Sequence, residues 1–362
     1  MQKSKRIVIK VGTKVITSKD GSLNKDRVRD ITAQIARVLD GGSEVLLVTS
    51  GAIGAGMGLL GLKKRPRELC ELQASASIGQ SYLMHVYSEY FRTKGYLAGQ
   101  ILLTQEDFND RKRYLNIKYT IETLLKHKAV PVINENDTVS TDEIKFGDND
   151  RLATLVSDLC EADKLVLLTD VDGLLDDDCN LIPVVEEVNA KVLKLAKVSN
   201  CELGMGGMAT KLDAARKASG AGIECIIANG SAKDIIVKIA SGVAAGTTFK
   251  GAKAKFVARK RWIAFSSKPK GSIYIDAGAK IALMEKDKSL LASGIVSLEG
   301  GFTAGDVVRV MGKDGTELAR GVVNYSSSEL EKIKGRKTSD IISVLGRKTR
   351  DEVIHKDDLV IL

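Results

Sequence analysis

The chain has 362 residues, of which 44% are hydrophobic and 28% charged, and this composition excludes disordered, collagen-like and disulfide-scaffold classes. Its formal net charge of +9 is local, because residues 247–270 hold eight basic residues and no acidic one; such a run fits a solvated linker as well as a surface for an acidic partner. No apolar run is long enough for a membrane span or a signal peptide. The five scattered cysteines and three histidines give little support to disulfides, zinc sites or a Ser/His/Asp triad. We therefore expect a cytoplasmic protein without a membrane partner.

Apolar, β-branched runs alternate with helix-period segments through the first two thirds of the chain. Strands are predicted at Arg6–Val11, Glu44–Val48, Leu97–Leu103, Val130–Asn134, Lys164–Leu168 and Glu224–Ala228. Helices are predicted at Asp26–Leu39, Gln73–Arg92, Asn116–His127, Asn149–Cys160 and Thr210–Ser219. Nearly all-apolar strands separated by helices are typical of a parallel sheet covered on both faces. The pattern therefore predicts an α/β fold, a three-layer αβα sandwich with a mainly parallel sheet.

After Lys270 the pattern changes to short strands separated by glycines. These are predicted at Ser272–Ile275, Gly294–Leu298, Asp306–Met311 and Glu317–Val323, followed by a helix at Ser327–Ile333. Such a pattern favours a small β-barrel with a helix. We therefore expect a large domain over residues 1–255, a basic linker over 256–270 and a small domain over 271–362.

The residues that follow the first two strands have features of an anion site. Ligands of open α/β sheets bind beyond the carboxyl ends of the strands. The first strand ends in Lys10 and Gly12, an ammonium group beside a turn that lets backbone amides approach a phosphate. The second leads into Ser50 and a glycine-rich stretch up to Gly56 that opens a helix. The alternatives are a solvated lysine at a strand end and glycines that serve tight packing.

The strand at Val130–Asn134 is followed by a dense group of Asp and Asn residues. Glu135–Thr138 comes directly after the strand, and Phe146–Asp150 precedes the next helix. Carboxylates can accept from an amino group and amides can donate to a carboxylate, so the group suits an amino acid ligand. Helix capping by Asp148 or Asn149 is the alternative for a single residue.

Two further loops indicate a nucleotide. The strand at Lys164–Leu168 ends in Thr169–Gly173, whose Asp-x-Asp-Gly sequence lacks the later Glu of a calcium loop and reads better as a turn beside a nucleotide. The stretch Gly204–Lys211 combines glycines that let the backbone fold around phosphates with a helix start and a lysine, which we place in the first helical turn.

These loops, in this order, resemble the amino acid kinase family, and within it the branch that phosphorylates glutamate. The motifs are Val48–Ile53, Val132–Asp137, Gly147–Asp150, Leu168–Asp170 and Gly206–Lys211. The resemblance continues through Arg259–Trp262 into a C-terminal segment that is similar to a PUA domain, a small barrel shared with RNA-modifying enzymes. It departs at Gly173–Asp178, where many relatives have an aromatic residue and an Asp-Pro pair, so the nucleotide contacts there are left open.

The resemblance implies the following site residues. Glutamate binding is implied for Ser50, Asp137 and Asn149. ATP contacts are implied for Lys10, Thr169, Asp170, Met205, Gly206, Gly207, Met208, Ala209, Thr210 and Lys211. Lys10 and Lys211 are expected to stabilise the transferring phosphoryl group while Asp150 orients them and Mg²⁺ bridges ATP oxygens; no residue is assigned as a metal ligand.

The implied reaction converts ATP and L-glutamate to ADP and L-glutamyl 5-phosphate, the first step of proline biosynthesis. A glutamate side chain has an unperturbed pKa near 4.3, so it is ionised at neutral pH and needs no general base. Feedback inhibition by proline and a homo-oligomer, dimer or tetramer, are implied by the resemblance alone.

Two alternatives stay open at this point. Carbamate, acetylglutamate, aspartate and UMP kinases share the scaffold, so another acceptor is one of them. The other is an RNA-binding protein that acts through the small barrel and the basic linker, although residues 271–362 balance 14 basic against 14 acidic residues.

Overall fold

The computed structural model describes residues 5–18, 21–139, 149–198, 207–252, 260, 262–263, 268–347 and 350–362. The chain forms two compact units, Met1–Lys255 and Phe256–Leu362. No helix in the described part is both long enough and apolar enough to cross a membrane.

The first unit alternates strands and helices along the chain. Its strands are β1 (Arg6–Val11), β2 (Glu44–Thr49), β3 (Ala98–Leu103), β4 (Val130–Glu135), β5 (Lys164–Thr169), β6 (Val184–Val185), β7 (Glu224–Asn229) and β8 (Thr247–Phe249). Its helices are α1 (Thr13–Ile16), α2 (Lys25–Asp40), α3 (Ala52–Leu59), α4 (Leu69–Arg92), α5 (Gln105–Asn109), α6 (Arg111–Lys126), α7 (Asn149–Leu159), α8 (Ala190–Val198), α9 (Gly207–Gly220) and α10 (Ile235–Ala240).

The strands form an eight-stranded sheet in the order β3-β4-β2-β1-β5-β7-β8-β6. All its pairings are parallel except that of β7 with β8. The predicted α/β class with a mainly parallel sheet is thus confirmed. Because β1 pairs with β2 on one side and with β5 on the other, the strand order reverses at β1. Open α/β sheets bind ligands at such a reversal.

Helices cover both faces of the sheet. Side chains alternate along a strand, so Ile7, Ile9 and Val11 of β1 face one layer and pack in a core with α2, α4 and α10. Helices α6, α7 and α9 pack on the other face. Lys10 points to that second face, where it contacts Asp150 of α7. The three-layer arrangement thereby decides which helix the strand-end lysine meets.

Helices α3 and α4 pack backbone to backbone through two glycines. A Cβ on Gly56 would lie 1.8 Å from the Ser75 carbonyl oxygen, and one on Gly79 would lie 1.8 Å from the Ala52 carbonyl oxygen. The tight-packing alternative therefore holds for Gly56. Gly51 differs, because it precedes α3 with a φ of +94°, a conformation that favours glycine.

Several predicted helix starts are wrong by up to five residues, about one and a half turns. Helix α6 begins at Arg111 rather than Asn116, because Asp110 caps it by accepting from the Arg113 amide at 2.8 Å. Helix α4 begins at Leu69 rather than Gln73. The prediction also missed several short elements: α1, α5, α8, α10, β6 and β8. Short elements carry too few residues for a periodicity to be read.

The second unit contains a five-stranded sheet in the order β10-β9-β11-β12-β13. Its strands are β9 (Ser272–Ile275), β10 (Ile295–Glu299), β11 (Val307–Met311), β12 (Glu317–Val322) and β13 (Leu359–Ile361), and its helices are α11 (Ala277–Met284), α12 (Ser327–Ile333) and α13 (Ile341–Leu345). The pairing of β9 with β11 is parallel and the others are antiparallel. A separate apolar core fills this unit. The predicted small C-terminal β unit is confirmed, and α11, α13 and β13 are additions.

Candidate functional site

The carboxyl ends of the central strands meet at one edge of the sheet. Val11 pairs with Thr49 of β2 and with Leu168 of β5, so these three strands end at the same level. A cavity of about 340 Å³ opens beside them. It is lined by Lys10, Gly12, Thr13, Lys14, Val15, Ser50, Thr169, Asp170, Val171, Gly173, Leu174, Leu175, Leu195, Gly207, Met208 and Lys211.

Lys10, Asp150 and Lys211 form what we call the lysine clamp. Lys10 Nζ lies 2.7 Å from Asp150 Oδ1, and Lys211 Nζ lies 3.0 Å from Asp150 Oδ2. The side chains of Lys10 and Asp150 are only 7% and 3% exposed. One buried carboxylate thus holds two ammonium groups at the wall of the cavity.

The clamp carries a net positive charge. Burial by itself raises the pKa of Asp150, but the charges and hydrogen bonds of Lys10 and Lys211 outweigh it, and the pKa of this carboxyl lies below its ordinary value. Two cations against one anion leave one excess positive charge in a region where water screens it poorly. The arrangement is suited to an anion that arrives through the cavity.

The sequence analysis placed Lys211 in the first turn of α9. In the structure it reaches the clamp from the second turn. The helix begins at Gly207 rather than at Thr210, since Gly207, Met208 and Ala209 already belong to it. Helical side chains tilt toward the amino end, and Lys211 Nζ accordingly also donates to the Gly207 carbonyl oxygen at 3.2 Å. Thr210 Oγ1 donates to Asp150 Oδ2 at 3.3 Å.

The rest of the predicted glycine-rich segment divides into three groups. Gly207 and Met208 line the cavity. Ala209 is exposed. Met205 and Gly206 lie outside the described residues, as does Asp148.

A second group, which we call the amide cluster, consists of Ser50, Asn134 and Asn149. Asn149 Nδ2 lies within hydrogen-bond distance of Ser50 Oγ at 2.9 Å, of Asn134 Oδ1 at 2.9 Å and of the Thr49 carbonyl oxygen at 2.7 Å. All three members are buried. Asn149 therefore acts in this cluster beyond any helix capping, and Ser50, which lines the cavity, connects the cluster to it.

Helix α4 supports the amide cluster with two residues that the sequence analysis missed. Gln80 Oε1 accepts from Asn134 Nδ2 at 2.7 Å. The Tyr87 hydroxyl lies 3.0 Å from Thr49 Oγ1, and burial raises the pKa of Tyr87 to about 12. The one available signal in the sequence was that Gln80 and Tyr87 place polar groups on the inner side of a helix. Such residues also occur in ordinary cores, so the signal is informative only when their neighbours are known.

Asp137 lies two residues beyond the end of β4. It is half-buried, and burial raises its pKa to about 6 although the positive charge of Arg65 opposes the shift. Its electrostatic partner is thus Arg65, which precedes α4 in the chain.

Thr169 is the last residue of β5, and Asp170 follows it directly. Thr169 Oγ1 donates to Asp170 Oδ1 at 3.1 Å, and Lys14 Nζ donates to Asp170 Oδ2 at 2.9 Å. Burial raises the pKa of Asp170, but the hydrogen bonds from Lys14, its own backbone and Thr169 outweigh it and hold the pKa below the ordinary value. Lys14 was not singled out in the sequence, because a lysine one turn after a strand has no distinctive signature.

The cavity has a charged part and an apolar part. Lys10, Lys14, Asp170 and Lys211 supply the charges. The apolar lining comes from Val171, Leu174, Leu175, Leu195 and Met208. Such a combination accommodates a ligand that joins a flat apolar group to a polyanion. Among the described residues, no group of three His, Cys, Asp or Glu side chains could hold a metal ion by itself.

Known proteins resemble this chain over its whole length. The amino acid kinase family model matches residues 5–229, and the PUA domain model matches residues 271–345. The glutamate 5-kinase of Caldanaerobacter subterraneus subsp. tengcongensis is 50% identical over 99% of this chain and 98% of the relative. The glutamate 5-kinase of Geobacter sulfurreducens is 45% identical over 100% of this chain and 99% of the relative.

A solved structure also resembles part of the chain. It is carbamate kinase from Giardia lamblia bound to AMP-PNP, which is 17% identical with a TM-score of 0.49 over 70% of this chain and 100% of that chain.

Proposed function

This chain belongs to the amino acid kinase family, and we propose that it transfers the terminal phosphoryl group of ATP to the side-chain carboxylate of L-glutamate. The products are ADP and L-glutamyl 5-phosphate, which makes the reaction the first step of proline biosynthesis. Full-length relatives named glutamate 5-kinase support the choice of acceptor. The single observation that carries the proposal is the lysine clamp, in which two ammonium groups lie within 3.0 Å of one buried carboxylate.

The lysine clamp is the proposed catalytic element. Transfer of a phosphoryl group between two anions requires little covalent chemistry from the protein and much charge neutralisation and positioning. Lys10 and Lys211 provide fixed positive charge for the oxygens of the transferred group, and Asp150 keeps both side chains in place. Because the clamp is already assembled in the interior, little reorganisation is needed during the reaction.

The amide cluster and Asp137 are the proposed acceptor site. We assign Ser50, Asn149 and Asp137 to glutamate binding, with Asp137 as the acceptor of hydrogen bonds from the substrate ammonium group. The substrate carboxylate is ionised at neutral pH, so no residue needs to act as general base. The small number of histidines is consistent with that mechanism.

The cavity beside β5 is the proposed ATP site. Thr169, Asp170 and residues 205–211 are assigned to the nucleotide, and the apolar lining suits its base. ATP supplies the phosphoryl group, and Mg²⁺ neutralises its phosphate charge. Mg²⁺ is commonly held by substrate phosphates with only one or two carboxylates, a donor set that fits the sparse carboxylates here.

The remaining assignments are proposals from the family resemblance. We propose a kinase domain over residues 1–255, a basic linker over 256–270 and a PUA-like domain over 271–362. Self-association as a dimer or tetramer, inhibition by proline, a cytoplasmic location and RNA binding by the PUA-like domain stay predictions.

An acceptor screen tests the proposed function. The protein is incubated with ATP, Mg²⁺ and hydroxylamine, which traps acyl phosphates as hydroxamates, and L-glutamate is compared with L-aspartate, N-acetyl-L-glutamate and carbamate. We expect a hydroxamate with L-glutamate. A product with another acceptor and none with glutamate would refute the acceptor. ATP hydrolysis that yields no phosphorylated product with any of the four acceptors would refute the kinase assignment.

A further inference from the structure

A third lysine reaches the cavity from a position that the proposed mechanism does not use. Lys14 lies on α1 directly after β1, and its ammonium is paired with Asp170. Its side chain is 67% exposed, whereas the lysines of the clamp are 7% and 12% exposed. Lys14 is thus a solvated cation at the cavity, in contrast to the two buried ones.

We propose that Lys14 is a nucleotide-affinity residue, which gives up its ion pair with Asp170 and binds the polyphosphate of the incoming nucleotide. The inference rests on the proposed use of ATP and adds a binding residue to that site. An ion pair between exposed side chains stabilises a protein little, because water solvates both charges. A polyphosphate offers the same ammonium several anionic oxygens and stronger, charge-assisted hydrogen bonds.

The backbone beneath Lys14 is held in place from two sides. The Gly12 amide donates to the Leu168 carbonyl oxygen at 3.1 Å, which ties the start of α1 to the end of β5. On the other side, a Cβ on Gly230 would lie 2.6 Å from Val15 Cγ1, so the loop after β7 packs closely against α1. A fixed backbone with a four-carbon side chain lets the ammonium move between partners while its anchor stays in position.

The charge balance gives Lys14 a second effect. Among the described residues, the cavity lining and the clamp together hold Lys10, Lys14 and Lys211 against Asp150 and Asp170, which leaves one net positive charge. Without Lys14 the balance is zero and Asp170 faces the incoming polyanion with no cation paired to it. Loss of Lys14 should therefore remove an attraction for the polyphosphate and leave the charge of Asp170 to repel it. The repulsion should disappear when Asp170 is made neutral.

Nucleotide binding measured by calorimetry tests this inference without any acceptor. The titrants are Mg²⁺-ADP and a non-hydrolysable Mg²⁺-ATP analogue, and the proteins are the full chain and its variants Lys14→Met, Lys14→Arg and Lys238→Met. The control Lys238 is exposed on α10 and does not line the cavity. We expect Lys14→Met to raise the Kd about tenfold, as for loss of one charge-assisted hydrogen bond. Lys14→Arg and Lys238→Met should bind as the unmodified chain does.

Two further measurements distinguish nucleotide binding by Lys14 from a purely structural ion pair with Asp170. Lys14→Met should weaken the dependence of Kd on salt, since one screened charge is lost. The double variant Lys14→Met with Asp170→Asn should bind nucleotide more tightly than Lys14→Met alone.

An unchanged Kd in Lys14→Met would overturn the inference, and a lowered Tm with unchanged Kd would assign the pair a structural role. Neither result affects the hydroxamate test. Conversely, the unmodified chain could make no glutamyl hydroxamate while the Lys14→Met variant binds nucleotide more weakly than it does. That pair of results would refute the acceptor and support the inference.

Discussion

Asn149 and Asp150 are consecutive residues at the start of α7, yet their side chains join two different networks. Asn149 Nδ2 lies 2.9 Å from Ser50 Oγ in the amide cluster, and Asp150 Oδ1 lies 2.7 Å from Lys10 Nζ in the lysine clamp. Successive helical residues point about 100° apart, so one helix end can serve two neighbouring sites. The proposed acceptor site and the proposed phosphoryl site are therefore coupled through one peptide unit.

Asp150→Asn tests the lysine clamp. The change keeps the shape and removes the charge, which leaves the buried ammonium of Lys10 without its carboxylate. We expect the free energy of unfolding to fall by about 3 kcal/mol and kcat to fall about 100-fold. Urea unfolding and steady-state kinetics measure the two effects. The control is Asp213→Asn, which breaks exposed ion pairs on α9 and should cost about 0.5 kcal/mol. Equal effects of the two changes would contradict the clamp.

Lys211→Ala tests whether the lysine acts on the transferring group. A contact made mainly in the transition state lowers kcat and leaves substrate binding largely intact. We expect kcat to fall at least about 100-fold and the KM for glutamate to change less than about threefold. Lys217→Ala on the same helix, which removes an exposed ion pair with Asp213, is the matched control and should retain full activity. An unchanged kcat in Lys211→Ala would remove this residue from the mechanism.

The pH dependence of glutamate use tests Asp137, whose pKa is raised to about 6 by burial. If the carboxylate form accepts from the substrate ammonium group, kcat/KM for glutamate should fall as the pH drops below about 6, where the free protein protonates this group. Asp137→Asn should lower kcat/KM and flatten the profile between pH 5 and 7. A profile of the variant that keeps the inflection near pH 6 would assign the titration to another group.

The same raised pKa has a consequence for stability. The folded protein holds the proton of Asp137 more tightly than the unfolded chain does, whose carboxyl has an ordinary pKa. Its contribution to stability is therefore fully present below the unfolded pKa of about 4 and is lost as the pH rises through about 6. Asp137→Asn should accordingly gain stability relative to the unmodified chain at pH 7 but not at pH 4. Urea midpoints at the two pH values measure the difference.

Gln80→Met tests the support of the amide cluster from α4. The change keeps the side-chain length and removes the oxygen that accepts from Asn134 Nδ2, so this amide group loses its acceptor and holds the amide cluster less firmly. We expect the KM for glutamate to rise about five- to tenfold, the effect of about one hydrogen bond, while the KM for ATP stays the same. Gln80→Glu retains an acceptor oxygen and should recover part of the affinity. A parallel rise in both KM values would indicate a general structural defect.

Gly79→Ala tests the contact of α3 with α4. The new Cβ would lie 1.8 Å from the Ala52 carbonyl oxygen and 2.3 Å from the Gly56 amide nitrogen, so the two helices would have to separate. We expect a loss of about 3 kcal/mol or more in the free energy of unfolding. Gly58→Ala is the matched control on α3, because its Cβ would meet Ser22 Cβ at an ordinary 3.4 Å. It should be neutral or stabilise by up to about 1 kcal/mol. Thermal unfolding distinguishes the two.

Much of the fold could be predicted because strong local patterns encode it. The long strands β1, β2, β4, β5 and β7 are continuous apolar runs, and they were predicted to within about one residue. Helix starts were harder, as α6 shows, because the cap at Asp110 depends on one hydrogen bond and not on a period. The rule that ligands bind beyond parallel strand ends directed attention to Lys10, Ser50, Thr169 and Asp170, which do line one cavity.

The sequence could not supply the partners of those residues. Gln80 and Asn134 are separated by 54 positions, and Lys14 and Asp170 by 156. No local preference of either residue in such a pair depends on the other, so nothing in the sequence of one marks its partner. The same limit applies to Lys10. The alternation of side chains along β1 predicts the face of the sheet on which Lys10 lies, but not the helix that covers that face.

By itself the sequence determined the α/β class, the family and the set of polar residues that end the parallel strands, because each depends on short patterns along the chain. Only the tertiary structure decided that Asp150 holds both Lys10 and Lys211, that Asn149 joins Ser50, and that Lys14 pairs with Asp170. Charge pairing and hydrogen bonding depend on distances of about 3 Å in space. Those distances are set by the strand order around β1 and by the helices packed on each face of the sheet.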